Sequence, residues 1–376
     1  MCPTPPTTAT PPSGPAPAAK NSRTSSSRSS KSLPPEHRLV VPTHDALKAH
    51  QGPHVEIIDT HTHVWSTFNA YREKYPQGQH ETVKDFVKAT LCDDNSNRIS
   101  KLVDVWCEAK DPAARPEFAD VVDSLSALDQ LEYRYVIGCH PHDAINYTQE
   151  LEEAYLKAHS DRRCVGWGEM GLDYHYDNSP RDIQQDVLRR QLRAALRSGL
   201  DKAITIHTRE ADDDILTILT EELPRTARVH IHCFTDSPAL ATNLLDHFPN
   251  LYFGITGVVT FSSNANTSQV VRTLARRYRS RTDDQPRFLL ETDAPFMTNA
   301  NMGPNSKLGM TSKQKFPFCH PGLLPYTAEF VAKVINESDG QGGDEGSAAG
   351  DVEKDVWDTV RVLEVARENA RTVYRI

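Results

Sequence analysis

Residues 165–207 read VGWGEMGLDYHYDNSPRDIQQDVLRRQLRAALRSGLDKAITIH, which is the pattern of a strand, a helix and a second strand. The runs Val165–Glu169 and Ala203–His207 are short and largely apolar, as buried strands of a parallel sheet are. Between them, apolar side chains recur at helical spacing over Pro180–Ser198, namely Val187, Leu188, Leu192, Ala195 and Leu196. Pro180 marks the helix start and Gly199 its end. The stretch therefore predicts one β-α-β unit with parallel strands.

The same alternation extends over most of the chain. Predicted strands before this unit are Val55–Asp59, Lys101–Trp106 and Tyr133–Cys139, and those after it are Arg228–Cys233, Leu251–Gly257 and Arg287–Asp293. Eight such repeats in about 320 residues favour a closed (β/α)8 TIM barrel, an α/β fold, over residues 51–376. An open doubly wound sheet is the alternative, but no Gly-x-Gly-x-x-Gly motif or P-loop follows the first strand.

Two segments read as additions to the barrel. Residues 1–50 form a Pro/Ser/Thr-rich basic arm and its lead-in, and residues 1–35 contain too few apolar side chains to fold. A low-complexity insertion near residues 337–355 is rich in Gly, Asp, Glu and Ser. Residues 1–35 contain four basic residues and no acidic one, so they carry +4, and the rest of the chain carries −13 to give the net charge of −9.

Composition excludes several classes of protein. No run of eighteen apolar residues exists and the start lacks an apolar signal core, so we expect no membrane span and no secretory signal. Seven scattered cysteines without a Cys-x-x-Cys pair argue against a disulfide framework and for a reducing, intracellular compartment. We predict a cytoplasmic and/or nuclear protein, with a mitochondrial location as the second interpretation of the basic arm. Because the chain outside the arm is this acidic, we expect it to bind nucleic acid poorly in a non-specific way unless bound dications reverse its charge locally.

Polar residues fall where the predicted strands end. The donors that we single out are His61, His63, Glu169, His207, His232 and Asp293. In a parallel barrel these ends face one mouth, so the six side chains should converge there. Nitrogen and oxygen donors without thiolate suit Zn²⁺, Mn²⁺ or Mg²⁺, and six exceed what one catalytic zinc takes, which predicts two divalent ions per subunit. His230 lies one layer deeper than His232, and we interpret it as structural.

Several segments in one order carry a family resemblance. They are Thr60–His63, Gly138–His142, Gly168–Tyr174, Ile206–Ala211, His232–Thr235 and Leu290–Pro295. The chain resembles the TatD-type DNase family of the metal-dependent hydrolase superfamily, from about Val55 to the C-terminus. The resemblance implies a TIM barrel and hydrolysis of DNA phosphodiesters, often as a 3′ to 5′ exonuclease.

The resemblance also implies roles for individual residues. His61, His63 and Asp293 match ligands of a first metal, Glu169 matches a bridging acid, and His207 and His232 match ligands of a second metal. The residues that match positions facing the substrate phosphate are Arg209, His140, His142 and His175. Asp236 departs from the family, which usually has Gly there, and His320-Pro321 stands where relatives tend to have Asn-x-Pro.

Further departures from the family pattern concern where a protein partner would bind. Residues 91–118 and 337–355 read as insertions, and the segment Trp106–Glu108 resembles a fungal-like branch described as binding a cell-cycle ubiquitin-ligase subunit. A protein partner that binds the N-terminal arm or the insertions follows as a prediction, beside DNA or another phosphodiester as substrate.

The favoured function is hydrolysis of phosphodiesters by metal-activated water, with Asp293 as general base. One alternative is an amidohydrolase or lactonase that cleaves C–N or C–O bonds, where many barrels carry a bridging lysine on strand four. Val165–Gly171 contains Glu169 and no lysine. The other alternative is a scaffold protein that keeps the fold and binds partners through its arm and insertions.

Overall fold

The computed structural model describes residues 32–280, 282–302, 308, 310–311, 314–337 and 356–376. The predicted disorder of the arm up to residue 31 and the predicted insertion from residue 338 onwards lie outside these residues. Within them, a compact unit begins at Ser32 rather than at the predicted domain boundary of residue 51.

Eight parallel strands form a single sheet in chain order, β1 to β8. The strands are β1 (Ile58–Thr62), β2 (Lys101–Trp106), β3 (Glu132–Ile137), β4 (Cys164–Asp173), β5 (Ala203–Arg209), β6 (Val229–Ile231), β7 (Leu251–Ile255) and β8 (Phe288–Leu290). Helices follow the strands and pack around the sheet, and this confirms the (β/α)8 barrel.

The helices in the described residues are α1 (Asp45–Ala49), α2 (Val64–Lys74), α3 (Val83–Leu91), α4 (Pro116–Ser126), α5 (Gln149–Ala158), α6 (Arg181–Arg197), α7 (Asp212–Glu222), α8 (Pro238–His247), α9 (Ala265–Arg279), α10 (Leu324–Glu337) and α11 (Thr359–Tyr374). Helix α6 matches the predicted span to within one residue at each end. Gly199 ends it in the left-handed conformation, at a φ of +65°, which glycine adopts without strain. Leu196, one of the five apolar residues at helical spacing, is exposed.

The first and last strands meet at a boundary that we call the β1–β8 seam. Hydrogen bonds of side chains close much of it, because the Thr292 hydroxyl donates to Asp59 Oδ2 over 2.6 Å and the Thr60 hydroxyl donates to the Leu290 carbonyl over 3.0 Å. The Asp293 amide also donates to the His61 carbonyl over 2.8 Å. The seam therefore joins segments more than 200 residues apart in the chain.

Three expectations need correction. The predicted insertion at 91–118 contains β2, with β1 and β3 as neighbours, so its centre belongs to the barrel wall. Strand β4 continues beyond Glu169 to Asp173, so Glu169 lies within the strand, at a register shift between Trp167 and Met170. Trp106 and Cys107 are buried, so their side chains are not open to a protein partner.

Membrane insertion has no support in the helices of the described residues, none of which combines the length and apolarity that a bilayer span requires.

Candidate metal centre

The first two donors come from the end of β1. His61 is fully buried within the strand, and His63 follows it as the residue before α2. Because side chains two residues apart on an extended backbone point the same way, the two rings converge, with centroids 5.3 Å apart. His232, which follows β6, stacks on His61 at 3.9 Å.

Glu169 lies at the centre of the site, and its two oxygens face different donors. Oε2 lies 3.4 Å from His61 Nε2 and 3.8 Å from His63 Nε2. Oε1 lies 2.8 Å from His232 Nε2, 2.9 Å from His207 Nδ1 and 3.5 Å from His140 Nε2. Burial opposes ionisation, but the charges of His232 and His140 outweigh it and hold the pKa of Glu169 well below its usual range.

Asp293 completes the side that faces Oε2. Its Oδ1 lies 3.3 Å from His63 Nε2 and 3.7 Å from His61 Nε2. Burial raises the pKa of this carboxyl, yet the hydrogen bond with His63 and the neighbouring histidines lower it overall, so Asp293 is ionised at neutral pH. Its backbone is in the left-handed region, with φ at +51°, immediately before the turn at Pro295.

The histidines differ in protonation when no cation is bound. Burial opposes the charged form of His63, but Asp293 raises its pKa to about 9. Asp173 and Glu169 likewise raise the pKa of His207 to about 9 against the effect of burial. Burial dominates at His61 and lowers its pKa to about 3. Two histidines are thus positioned to exchange a proton for a cation near neutral pH.

Three overlapping groups of side chains have donor atoms close enough to hold an ion. They are His61, His232 and Asp293; His61, His63 and Glu169; and His140, Glu169 and His207, each with ligand atoms within 4.8 Å of one another. Around a tetrahedral Zn²⁺ with bonds of about 2.0–2.1 Å, ligand atoms stand about 3.3 Å apart, close to the separations here.

Buried ring nitrogens without hydrogen-bond partners give a second test of fit. Both nitrogens of His61 and Nδ1 of His232 are buried with no hydrogen-bond partner. Leaving such groups unpaired costs stability, and a cation relieves it. The residues present therefore fit a divalent metal, and the cluster is consistent with metal binding.

Two further side chains, His140 and Asp173, lie in the site although neither is among the six predicted donors. His140, predicted to face substrate phosphate, lies as close to Glu169 as the predicted ligands do. Asp173 was not singled out; its Oδ2 lies 2.9 Å from His142 Nε2 and 3.4 Å from His207 Nε2. The signal that identifies Asp173 is the two-residue alternation from Glu169, which is visible only once β4 is known to extend to residue 173.

His230 lies beneath this cluster, as predicted from its position. It is fully buried, its Nε2 is 2.8 Å from Glu291 Oε2, and its Nδ1 is 2.7 Å from the Tyr374 hydroxyl. Tyr374 belongs to α11 and also reaches the Thr205 hydroxyl at 2.9 Å. The C-terminal helix thereby supports the floor of the site.

The remaining predicted residues line the rim. Arg209 ends β5, and its guanidinium carbon lies 5.0 Å from the centre of the Tyr176 ring. His175 pairs with Glu210 at 2.6 Å, outside the donor cluster. Asp236, where the family usually has Gly, accepts hydrogen bonds from the Thr208 hydroxyl at 2.8 Å and the Glu210 amide at 3.0 Å, and so holds the turn that carries Arg209.

Comparisons with known proteins match one family over most of the chain. The family described as TatD related DNase matches residues 58–375. A human protein named 3′-5′ RNA nuclease TATDN2 is 35% identical over 201 residues, which cover 53% of this chain and 24% of that protein. A Bacillus subtilis protein named uncharacterized metal-dependent hydrolase YabD is 34% identical over 216 residues, or 57% of this chain and 74% of that protein.

Solved structures match at the level of the fold. A crystal structure of YjjV, described as a TatD homolog from Escherichia coli K12, superposes with a TM-score of 0.57 at 21% identity. The superposition covers 86% of this chain and 99% of that one. The chain thus spans a whole barrel of this type, although it matches only about a quarter of the human relative.

Proposed function

Because the chain belongs to the TatD-related DNase family, whose match covers residues 58–375, we propose that it is a divalent-metal-dependent nuclease. Its substrate would be DNA or RNA, since the human relative is named an RNA nuclease and the family is described as DNases. The reaction is hydrolysis of a phosphodiester bond at the mouth of the barrel.

The division of donors between the two oxygens of Glu169 carries the proposal. One oxygen faces His61 and His63, which also contact Asp293, and the other faces His207, His232 and His140. A carboxylate that serves two sets of donors in this way suits a bridging ligand between two ions per subunit, and the donor chemistry suits Zn²⁺, Mg²⁺ or Mn²⁺. When bound, such ions supply Lewis acidity, which acidifies water and offsets charge on the phosphate.

The protein's own groups have separate tasks in this proposal. Asp293, ionised at neutral pH, accepts the proton of the attacking water. Arg209 offers a planar set of donors to a phosphate oxygen. His142, fixed by Asp173 at 2.9 Å, lies on the same side of the mouth as Arg209 and contacts the same Tyr176 ring.

The alternatives are less well supported by the residues. An amidohydrolase-type centre would have a bridging lysine on the fourth strand, whereas β4 of this chain has Glu169 at that place and no lysine. A scaffold protein would have no need to keep six donors within one cluster. The predicted protein partner of the arm or the insertions, and the cytoplasmic and/or nuclear location, stay predictions, and residues 1–31 and 338–355 lie outside the described structure.

The test is cleavage of labelled single-stranded and duplex DNA and RNA by metal-free protein, before and after addition of Mg²⁺, Mn²⁺ or Zn²⁺. We expect no turnover after exhaustive chelation and recovery on adding metal, with metal content measured alongside. The variant Leu196→Ala, which changes an exposed residue of α6, is the control for purification and metal removal. It should cleave as the wild-type protein does. Full turnover by protein with metal content near zero would disprove the proposal.

A further inference from the structure

Two exposed aromatic rings stand at the mouth of the barrel. Seven large apolar side chains of the described residues are exposed, and Tyr176 and Phe296 are the aromatic ones among them, at 48% and 55% exposure. Isolated exposed apolar side chains are ordinary, but Phe296 lies against His63 of the donor cluster, and Tyr176 lies against His142, which pairs with Asp173 beside that cluster. The exposure of these two rings beside the histidines is therefore better explained by a role in the site than by chance.

Tyr176 lies beside the donors contributed by β3 and β5. Its ring centre is 5.6 Å from that of His142, edge to face, and the Arg209 guanidinium lies over it at 5.0 Å. A cation over a ring holds the ring in place and in return positions the guanidinium. An aromatic surface and a phosphate-binding group are thus adjacent, as the base and the phosphate of one nucleotide are.

Phe296 lies beside the donors contributed by β1 and β8. Its amide donates to the Asp293 carbonyl over 2.9 Å, and its ring centre is 6.2 Å from that of His63. Glu169 faces His63 with Oε2 and His207 with Oε1, and the ring centre of His142 lies 6.5 Å from that of His207. Phe296 therefore lies near the donors that face Oε2, and Tyr176 near those that face Oε1.

We propose that Tyr176 and Phe296 are specificity-determining residues that stack on the nucleobases on either side of the scissile phosphodiester. Every base has a flat face that stacks on an aromatic ring, so such a site accepts many sequences. Paired bases in a duplex are already stacked on their neighbours, and freeing one costs energy. The two rings would therefore favour unpaired strands. The inference rests on the proposed nuclease function.

The test compares two single-stranded oligonucleotides of equal length, one with thymine on both sides of the cleaved bond and one with abasic sites there. We expect wild-type protein to have the lower KM for the thymine strand. Tyr176→Ala and Phe296→Ala should each reduce this preference at least about fivefold, with kcat changed less. Tyr176→Phe and Phe296→Tyr keep a ring and should keep most of the preference.

Controls separate stacking from damage to the fold. Both side chains are half-exposed, so melting temperatures should be nearly unchanged, and Tyr176→Leu replaces Tyr176→Ala if the latter unfolds. Leu196→Ala removes an exposed apolar group from α6 and should keep the wild-type preference.

Two negative results have different meanings. Wild-type protein that cleaves neither strand with any of the three metals would overturn the nuclease proposal itself. Wild-type cleavage with a KM that is equal on the two strands, or alanine variants that keep the preference, would overturn the stacking inference alone.

Discussion

Glu169 and Asp293 are both buried carboxylates among histidines, yet their surroundings suit different roles. Glu169 contacts histidines with both oxygens, whereas the close histidine contacts of Asp293 are made through Oδ1. The proposed bridging ligand thus has no oxygen to spare, while the proposed base keeps one for a water proton. Substitutions that remove each charge without changing size should separate these roles.

We expect Asp293→Asn to lower kcat by roughly 10²–10⁴, because the amide cannot accept a proton at neutral pH. KM should change far less, since five of the six donors remain. Glu169→Gln should instead weaken metal binding, which a competing chelator measures directly. His230→Asn is the control for the layer below, where lost contacts with Glu291 and Tyr374 should lower the melting temperature rather than kcat at saturating metal. Wild-type kcat in Asp293→Asn would refute the assigned role.

The histidines give the metal affinity a pH dependence. The pKa values of His63 and His207 are both raised to about 9, so each carries a proton at pH 7 when no cation is bound. Each of the two proposed ions must displace one of those protons, so the apparent affinity for each ion should rise with pH up to about pH 9, by at most about tenfold per pH unit.

Calorimetric titration in two buffers of different ionisation enthalpy counts the protons released. Release of about two protons per subunit at pH 7, one for each ion bound, agrees with the pKa values of the two histidines. An affinity independent of pH between 6 and 8 would contradict them.

At the scale of single residues, the structure brings the six predicted donors together. All six lie near or just beyond the C-terminal ends of predicted strands. Glu169 contacts His61, His63, His207 and His232, and Asp293 contacts His61 and His63. Their role as metal ligands stays a prediction. Asp173 was not predicted as a site residue because its role depends on where β4 ends. Local sequence patterns locate the ends of strands poorly. The contact of Asp236 with the turn of Arg209 depends on tertiary packing that no local pattern encodes.

At the scale of elements, β4 has glycines where it approaches β5 most closely. A Cβ at Gly171, whose φ is +157°, would overlap the carbonyl oxygen of His207, and one at Gly168, whose φ is +144°, would overlap that of Thr205. The glycines on either side of Glu169 and Met170 thus let β4 lie against the strand that carries His207.

Gly171→Ala should therefore destabilise the fold by at least about 2 kcal/mol, through backbone strain and displacement of β5. It should also weaken metal binding, because His207 moves with the strand. Gly199→Ala is the matched control, since its φ is +65° but nothing lies within 4 Å of the added Cβ. That change should cost about 1 kcal/mol and leave metal affinity unaltered. Equal effects of the two changes on urea denaturation and metal affinity would argue against this account.

Element lengths show why the prediction was incomplete. Strands β6 and β8 have three residues each, shorter than predicted, because the chain leaves the sheet before His232 and Asp293. Because apolar residues continue past the last hydrogen bond of each strand, prediction from apolar composition overestimates the length of β6 and β8. It underestimates β4, whose second half contains Gly171 and Asp173 but still pairs with β5 up to Arg209.

At the scale of the whole molecule, the compact unit begins before the barrel. Leu39 and Val41 are buried, and Glu36 accepts a hydrogen bond from the Tyr71 hydroxyl. The lead-in thus covers apolar surface of the barrel, although its sequence resembles the end of a polar arm.

Two truncations test this boundary. Deletion of residues 1–31 should leave melting temperature and turnover nearly unchanged, because that arm contains few apolar residues and none of the candidate ligands. Deletion of residues 1–44 should cost about 3–6 kcal/mol, since it exposes the sites of Leu39 and Val41. Denaturant unfolding of the two proteins measures the difference. A large loss from the shorter deletion would show that the arm itself stabilises the barrel.

The β1–β8 seam also bears on when the proposed site is complete. His61 and His63 lie at one side of it and Asp293 at the other, so a chain still on the ribosome has the first two donors long before it has the third. An unfinished chain, or one broken before β8, lacks Asp293, which is the proposed base and one donor of the proposed first ion site. Under the proposed function, turnover would therefore begin only once the residues that follow β8 have been synthesised and have joined β1.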